Sequence, residues 1–412
     1  MSMFKDYKLS VSQLLAFIPE PYLEQLSLQS HVDRYVKVLH GRKLFCLLLY
    51  GMLENERLSQ RSLEDTFNDP LFQQLFHLDG GERVRRSSIS ERFSISERFS
   101  KIDAHYFRQI YECVYEQYAG LYAEGERQKH LLIRVDSTLV SGTAGKLQTG
   151  ICHSGGKKAG KYTMAFDGVL PCSAQAFRKS SYNSQDVALP QVVWQHVRQE
   201  TGHKNLYGLD RGLQSAQNLE AFEKQHVSFV CRVKENRKYK LQANLLGEGQ
   251  HRDLGEVVLV SDQLIRLSCG KRMNNKNGNI HYRESLLEQD FRLLIVESKQ
   301  DPKLHYWLLT NELQVAAQEL AQAYRRRWDI EVFFRFLKQE LNLNHLVSLN
   351  QHGIGVMLYM SLIVAMLLLI YKQANAIGYK TAKRSFAMEI RNLAIAIVVA
   401  QCQGDLDKLF KT

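Results

Sequence analysis

No C-x-x-C pair occurs among the seven cysteines, and their number is odd, so neither a disulfide framework nor a structural zinc site is indicated. A reducing cytoplasm fits that pattern. The N-terminus, Met1 to Glu20, lacks an uninterrupted apolar core and does not read as a secretory signal. Long apolar runs are missing but for one, Met357 to Tyr371. It falls short of the ~20 residues of a spanning helix and polar segments flank it closely, which favours a buried core helix over a membrane-associated protein. Acidic charge is in the minority. The net charge of +11 calls for a polyanionic partner, nucleic acid or an acidic membrane surface. A length of 412 residues supports a large core and two or three domains.

Strand signals are few in residues 1–125. Apolar residues recur there at three- and four-residue intervals in Leu14 to Ile18, Leu44 to Leu53 and Tyr106 to Tyr122, predicting helices. The region holds a direct repeat, ISERFS at Ile89 to Ser94 and again at Ile95 to Ser100, preceded by Arg83, Arg85 and Arg86. A six-residue period is no solenoid period, so it reads as a local duplication within one helix or helix pair. Such a basic helical module suits a DNA groove as a helix-turn-helix element, or is simply a solvated charged face.

From Gln128 the pattern changes. Leu131 to Val140, Thr163 to Leu170 and Cys172 to Phe177 predict three strands, with a Gly- and Lys-rich loop from Gly142 to Lys161 after the first. Val187 to Gln199 and Ser215 to Lys224 have helical period, and Asn205 to Leu209 and Ser228 to Val233 read as strands. This describes an α/β fold, a mixed sheet covered by helices. Residues 238–303 break the rhythm with short β-like runs, Glu256 to Val260, Leu264 to Leu267 and Phe291 to Val296, and read as a β-rich insertion. The parent pattern resumes at Tyr306 to Thr310 and leads into a helix from about Leu313 to Leu343. Residues 346–412 are helical, with Lys380, Lys383, Arg384 and Arg391. The expected division is 1–125, 126–345 and 346–412.

Three carboxylates stand out by position. Asp136 interrupts an apolar strand, where charge is costly unless paired or bound to a cation. Asp210 ends a second strand, where a ligand crevice is expected. Glu331 lies on a helix able to cross those strand ends. Each taken alone is more often structural; together they form a set able to hold hard divalent ions, Mg²⁺ or Mn²⁺. Two such ions serve in-line displacement at phosphorus. At about 100° per residue, a continuous helix puts Tyr324, Arg327, Glu331, Arg335 and Lys338 on one stripe, with Ile330, Phe333, Phe334, Leu337 and Leu341 beside it. A glutamate among cations and a phenol suits a phosphodiester, although internal pairing of Glu331 with Arg327 and Arg335 competes with that reading.

The spacing Tyr324-x2-Arg327-x3-Glu331-x6-Lys338, with its Arg-Trp-x-Ile-Glu core, resembles the Y-(2)-R-(3)-E-(6)-K signature of the insertion sequence four family of bacterial DDE transposases. Asp136-Ser-Thr138 and Asp210-Arg-Gly212 resemble that family's two aspartate motifs, and Phe229 to Lys234 the strand after the second. The resemblance spans about residues 131–345. It implies a ribonuclease H-like core with a β-rich insertion, and Asp136, Asp210 and Glu331 as catalytic metal ligands for two Mg²⁺ or Mn²⁺ ions. It further implies DNA contacts from Tyr324, Arg327, Arg335 and Lys338, and base stacking by Trp307 during hairpin-type second-strand cleavage. The implied reaction is cut-and-paste transposition on double-stranded DNA, both terminal inverted repeats and target, by a DNA-bound homodimer in the bacterial nucleoid. End recognition falls to residues 1–125 by analogy. A ribonuclease H-like nuclease without strand transfer and a non-catalytic DNA-binding repressor are the alternatives.

Overall fold

The computed structural model describes residues 9–16, 18–78, 81–85, 95–123, 131–141, 150–152, 158–199, 205–247, 249–274, 280–301 and 303–401. The N-terminal part is helical, as α1 (Val11–Leu15), α2 (Glu20–Gln29), α3 (Gly41–Glu54), α4 (Gln60–Phe67), α5 (Pro70–Leu75), α6 (Ile95–Lys101) and α7 (Ala104–Ala123). Serine and aspartate side chains cap three of these. Ser10, Ser59 and Asp69 accept backbone N–H groups that the first turns of α1, α4 and α5 would otherwise leave open. The first copy of the hexapeptide repeat, and Arg86, lie outside the described residues; the second copy is α6. Its Arg98 is buried, donating to the carbonyls of Leu39 and Val32 and pairing with Asp33 at 3.1 Å. That arginine staples the helices together and presents no charge to a groove.

The sheet follows, with β1 (Leu131–Val140), β2 (Ile151–Cys152), β3 (Lys158–Phe166), β4 (Pro171–Phe177), then α8 (Gln185–Gln199), β5 (Asn205–Leu209), α9 (Ala216–Lys224) and β6 (Ser228–Val233). β3 runs antiparallel to β1 and β4 to β3, whereas β5 is parallel to β1 and β6 to β5. Three antiparallel strands followed by two parallel ones, in the order β4-β3-β1-β5-β6, make the ribonuclease H-like arrangement expected. Most of the loop expected at 142–161 lies outside the described residues, and β3 takes its last four, from Lys158.

The β-rich stretch comprises β7 (Tyr239–Asn244), β8 (Arg252–Asp253), β9 (Val257–Asn274), β10 (Ile280–Leu286) and β11 (Phe291–Ser298), and β12 (His305–Thr310) follows. β9 pairs with β7, β8, β10 and β11, and β12 pairs with β6, so these strands extend the core sheet. Two short runs, Glu256 to Val260 and Leu264 to Leu267, prove to be parts of the single strand β9. Asp262 between them looks like an interruption, yet it is buried and paired with buried Arg292 through contacts of 2.8 and 2.7 Å.

Alternation divides the sheet's side chains between two cores. Ile133, Val135, Tyr207, Leu209, Phe229 and Cys231 pack beneath α8 and α9. Leu132, Leu206, Val230 and Leu308 meet α10 (Ala317–Arg326) on the opposite face. Beyond α10, α11 (Asp329–Glu340), α12 (Gln351–Ala374) and α13 (Tyr379–Gln401) share one apolar core with α1 to α7. At 24 residues α12 is longer than the apolar run it contains, so length does not exclude a membrane span. Burial argues instead for a core helix, since the whole of its most apolar window is enclosed by protein.

The helix expected over 313–343 is two helices. It begins at Ala317 and breaks at Arg327 and Trp328, where N–H groups bond three residues back: Arg327 to Tyr324 at 3.1 Å and Ile330 to Arg327 at 3.2 Å. The cause sits on β1. Arg134 Nε donates to the Arg326 carbonyl at 3.0 Å, the acceptor a continuous helix would offer to Ile330. The angular stripe drawn for an unbroken helix therefore does not carry across Arg327.

Candidate active site

Asp136 stands one residue beyond the last β1–β5 backbone pair, Val135 with Leu209, and Asp210 directly follows β5. Asp136 thus lies mid-strand in β1, level with the carboxyl end of the adjacent parallel strand β5, where Asp210 follows. Each is tied to its own motif: Asp136 Oδ1 accepts the Ser137 N–H at 2.7 Å, and Asp210 Oδ2 the Gly212 N–H at 3.3 Å. Glu331, in the first turn of α11, completes the set. Arg327, at the helix break, joins all three. Its Nη1 donates to Asp136 at 2.9 Å, and its Nη2 donates to Glu331 at 2.8 Å and stands 3.8 Å from Asp210.

A buried arginine, and the glycine that makes room for it, hold the break against the sheet. Arg134 is fully buried; besides Arg326 it donates to the carbonyls of Leu132 and Asp167, both at 2.8 Å, and to Asp329 at 2.8 Å. Gly168 makes room for it, having a φ of +105° and lying where a Cβ would stand 2.7 Å from Arg134 Nη1.

The electrostatics follow from crowding. Burial pushes the Asp136 carboxyl up to about 6, Asp210 adds to that, and Arg327 and the Ser137 N–H oppose it. Burial works against the Arg327 charge, but Asp136, Glu331, Tyr324 and Asp210 outweigh it and hold the guanidinium above its usual range. Tyr324 is raised to about 12, chiefly by burial, and its ring lies 5.8 Å from the Arg327 guanidinium carbon. Lys338 is half-buried, which lowers its pKa, whereas Arg335 is exposed. Neither makes a hydrogen bond or ion pair among the described residues.

Trp307 is not brought to this group. It is half-buried with the core under α8 and α9, edge-on to Tyr239 at 6.0 Å, on the sheet face turned away from α10. Trp328, the chain neighbour of Arg327, is an exposed aromatic, at 54%. Sequence reading passed over it, although it sits between Arg327 and Asp329. Arg134 was missed too, a second charge in the same apolar strand as Asp136. So was buried Lys161 on β3, which donates to the Asn183 carbonyl at 3.1 Å and feels the Asp136 charge.

The donor set is all carboxylate oxygen, which suits a hard divalent ion. Arg327 occupies the space between the acids, with its Nε buried and unpartnered, and among the described residues no three acids stand ready to grip a metal as the side chains lie. The residues fit an ion by chemistry, and taking one up requires Arg327 to give way.

A ribonuclease H-like sheet with two aspartates on adjacent strands and a glutamate brought to them on a helix defines a class of phosphodiester-processing cores. The chain belongs to the transposase DDE domain family, whose model matches residues 127–367, and this membership implies use of a divalent metal. A putative transposase for insertion sequence element IS4SA from Synechocystis is 26% identical over 198 residues, 42% of this chain and 48% of that protein. A probable transposase for insertion sequence element IS5377 from Geobacillus stearothermophilus is 24% identical over 159 residues, 39% of this chain and 37% of that protein. The chain thus spans half or less of the length of these relatives. The structure of a piggyBac transposase synaptic complex with hairpin DNA aligns over 97% of this chain and 82% of that one, with a TM-score of 0.47 and 10% identity.

Proposed function

We propose that this protein is a DDE transposase that cleaves DNA at transposon ends and joins the freed 3′ end to target DNA. The observation that carries the reading is the convergence of Asp136, Asp210 and Glu331 on the Arg327 guanidinium, where β5 ends beside the middle of β1. Family membership supplies the class of chemistry. Asp136, Asp210 and Glu331 would hold Mg²⁺ or Mn²⁺, as two ions. Bound there, such ions activate an attacking oxygen and stabilise a leaving one at phosphorus.

The chain's own residues do the rest. Arg327, released from the acids, turns to a phosphate oxygen, and Arg335 and Lys338 meet the neighbouring backbone phosphates through charge-assisted bonds. Tyr324 stays protonated at neutral pH and flanks Arg327. Trp328, rather than Trp307, is the aromatic with a free face for a base drawn out of the stack. A cleft of about 370 Å³, lined by Lys234, Arg237, Lys238 and the first turn of α9, offers further cations to a polyanion. The partners in this reading are double-stranded terminal repeats and target DNA, engaged by a homodimer.

The test is a cleavage and joining assay on DNA flanking the protein's own gene, with Mg²⁺ present or chelated. Mg²⁺-dependent cleavage and a joined product are expected, and Asp136→Ala should abolish both. Cleavage without joining would identify a plain nuclease, and full activity in Asp136→Ala would refute the site.

A further inference from the structure

The backbone ladder between β1 and β5 stops at Val135 and Leu209, one residue short of both aspartates. Neither aspartate is itself a partner in that ladder, so the separation of the two side chains depends on what holds the residues around them. On the other side Asp136 is paired with β3, opposite Met164, which fixes its height in the sheet but says nothing of Asp210. Asp210 opens a loop to α9, and a loop needs side-chain anchors to hold a side chain still.

Those anchors come from the first two residues of α8. Gln185 Oε1 accepts the Ser137 hydroxyl at 2.8 Å, and the same hydroxyl meets Thr163 Oγ1 at 2.8 Å. The aliphatic part of Gln185 lies against Gly212, where any Cβ would collide with it. Asp186 Oδ1 accepts the N–H groups of Gln214 at 2.7 Å and Ser215 at 2.6 Å, and its carbonyl accepts Asn218 Nδ2 at 2.7 Å. One dipeptide thus grips the strand of the first aspartate through Ser137 and the loop of the second through Gly212, Gln214 and Ser215. Ser137 points to the sheet face opposite Asp136, so this grip is applied from behind and leaves the carboxylates open.

We propose that Gln185 and Asp186 are positioning residues that set the distance between Asp136 and Asp210 and so govern divalent-ion affinity. The inference rests on the metal-binding reading of those aspartates. Groups that orient ligands from behind the coordination shell are typically worth about 10- to 100-fold in metal affinity. A role confined to bracing α8 and α9 would move melting temperature and leave metal affinity alone.

The experiment is Mn²⁺ titration of the purified, DNA-free protein by calorimetry, with melting curves run in parallel. Gln185→Ala and Ser137→Ala should each weaken Mn²⁺ binding about tenfold, and the double variant should be no weaker than either single one, because both remove the same bond. Gln185→Glu, which keeps the acceptor oxygen, should bind Mn²⁺ within about threefold of wild type. Asp186→Asn, which keeps an oxygen for the loop but loses its charge, should weaken binding less than Gln185→Ala. Wild-type affinity in both Gln185→Ala and Ser137→Ala would overturn the proposal, as would Gln185→Glu as weak as Gln185→Ala. Asp136→Ala separates the two levels. If it abolishes Mn²⁺ binding while Gln185→Ala and Ser137→Ala do not weaken it, only the clamp fails. If it binds Mn²⁺ like wild type, the metal reading fails and the clamp with it.

Discussion

Asp136 pays for its position in protons. Unfolded, its carboxyl titrates near 4; folded, burial first and Asp210 second push it up to about 6. Between those values the folded protein holds a proton that the unfolded chain has released. The stability this contributes is full below about pH 4 and is lost as pH rises through about 6. Asn at this position neither gains nor loses a proton. The melting temperature of metal-free wild type minus that of Asp136→Asn should therefore fall across pH 4–6 and level off above, and a difference flat over that range would contradict the shift. Asp136 could be found in sequence because a carboxylate in an apolar strand advertises its cost. Arg134, two residues earlier, is more deeply buried, yet three of its acceptors are backbone carbonyls, and those leave no mark in a sequence.

At the scale of elements, the break between α10 and α11 exists because a side chain from β1 captures one helix carbonyl. Arg134→Met keeps much of the volume but strands the carbonyls of Leu132, Asp167 and Arg326. With each unsatisfied group costing roughly 1–3 kcal/mol, the variant should lose at least about 3 kcal/mol in urea unfolding. A loss below about 1 kcal/mol would show that the break stands without its brace. Strands β1, β5 and β6 were legible to the residue because their apolar runs end at polar punctuation. The helix pair was not, since periodicity reports which face is apolar and cannot register an interruption imposed from 192 residues away. β9 was read in pieces for a related reason. Asp262, a charge between its two apolar runs, is neutralised by Arg292 from another strand.

For the whole molecule, an excess of 11 positive charges means that binding to DNA, as proposed, would be a matter of ion release as much as of contact. Lys338, half-buried and without an ion pair among the described residues, is expected to neutralise one phosphate. Lys338→Ala should weaken binding about equally for any duplex and reduce the slope of log affinity against log salt by about one. An unchanged slope would remove it from the DNA path.

The closing of the site also has a date in the life of each molecule. Asp136 and its partner Arg327 are 191 residues apart in the chain, and the strands that bring them together include nearly everything between. At about 5–20 residues per second, roughly 10–40 s of synthesis separate the first acid from the helices that complete the cluster. A nascent chain thus lacks the assembled acid cluster for most of its growth, and the cluster closes late and all at once.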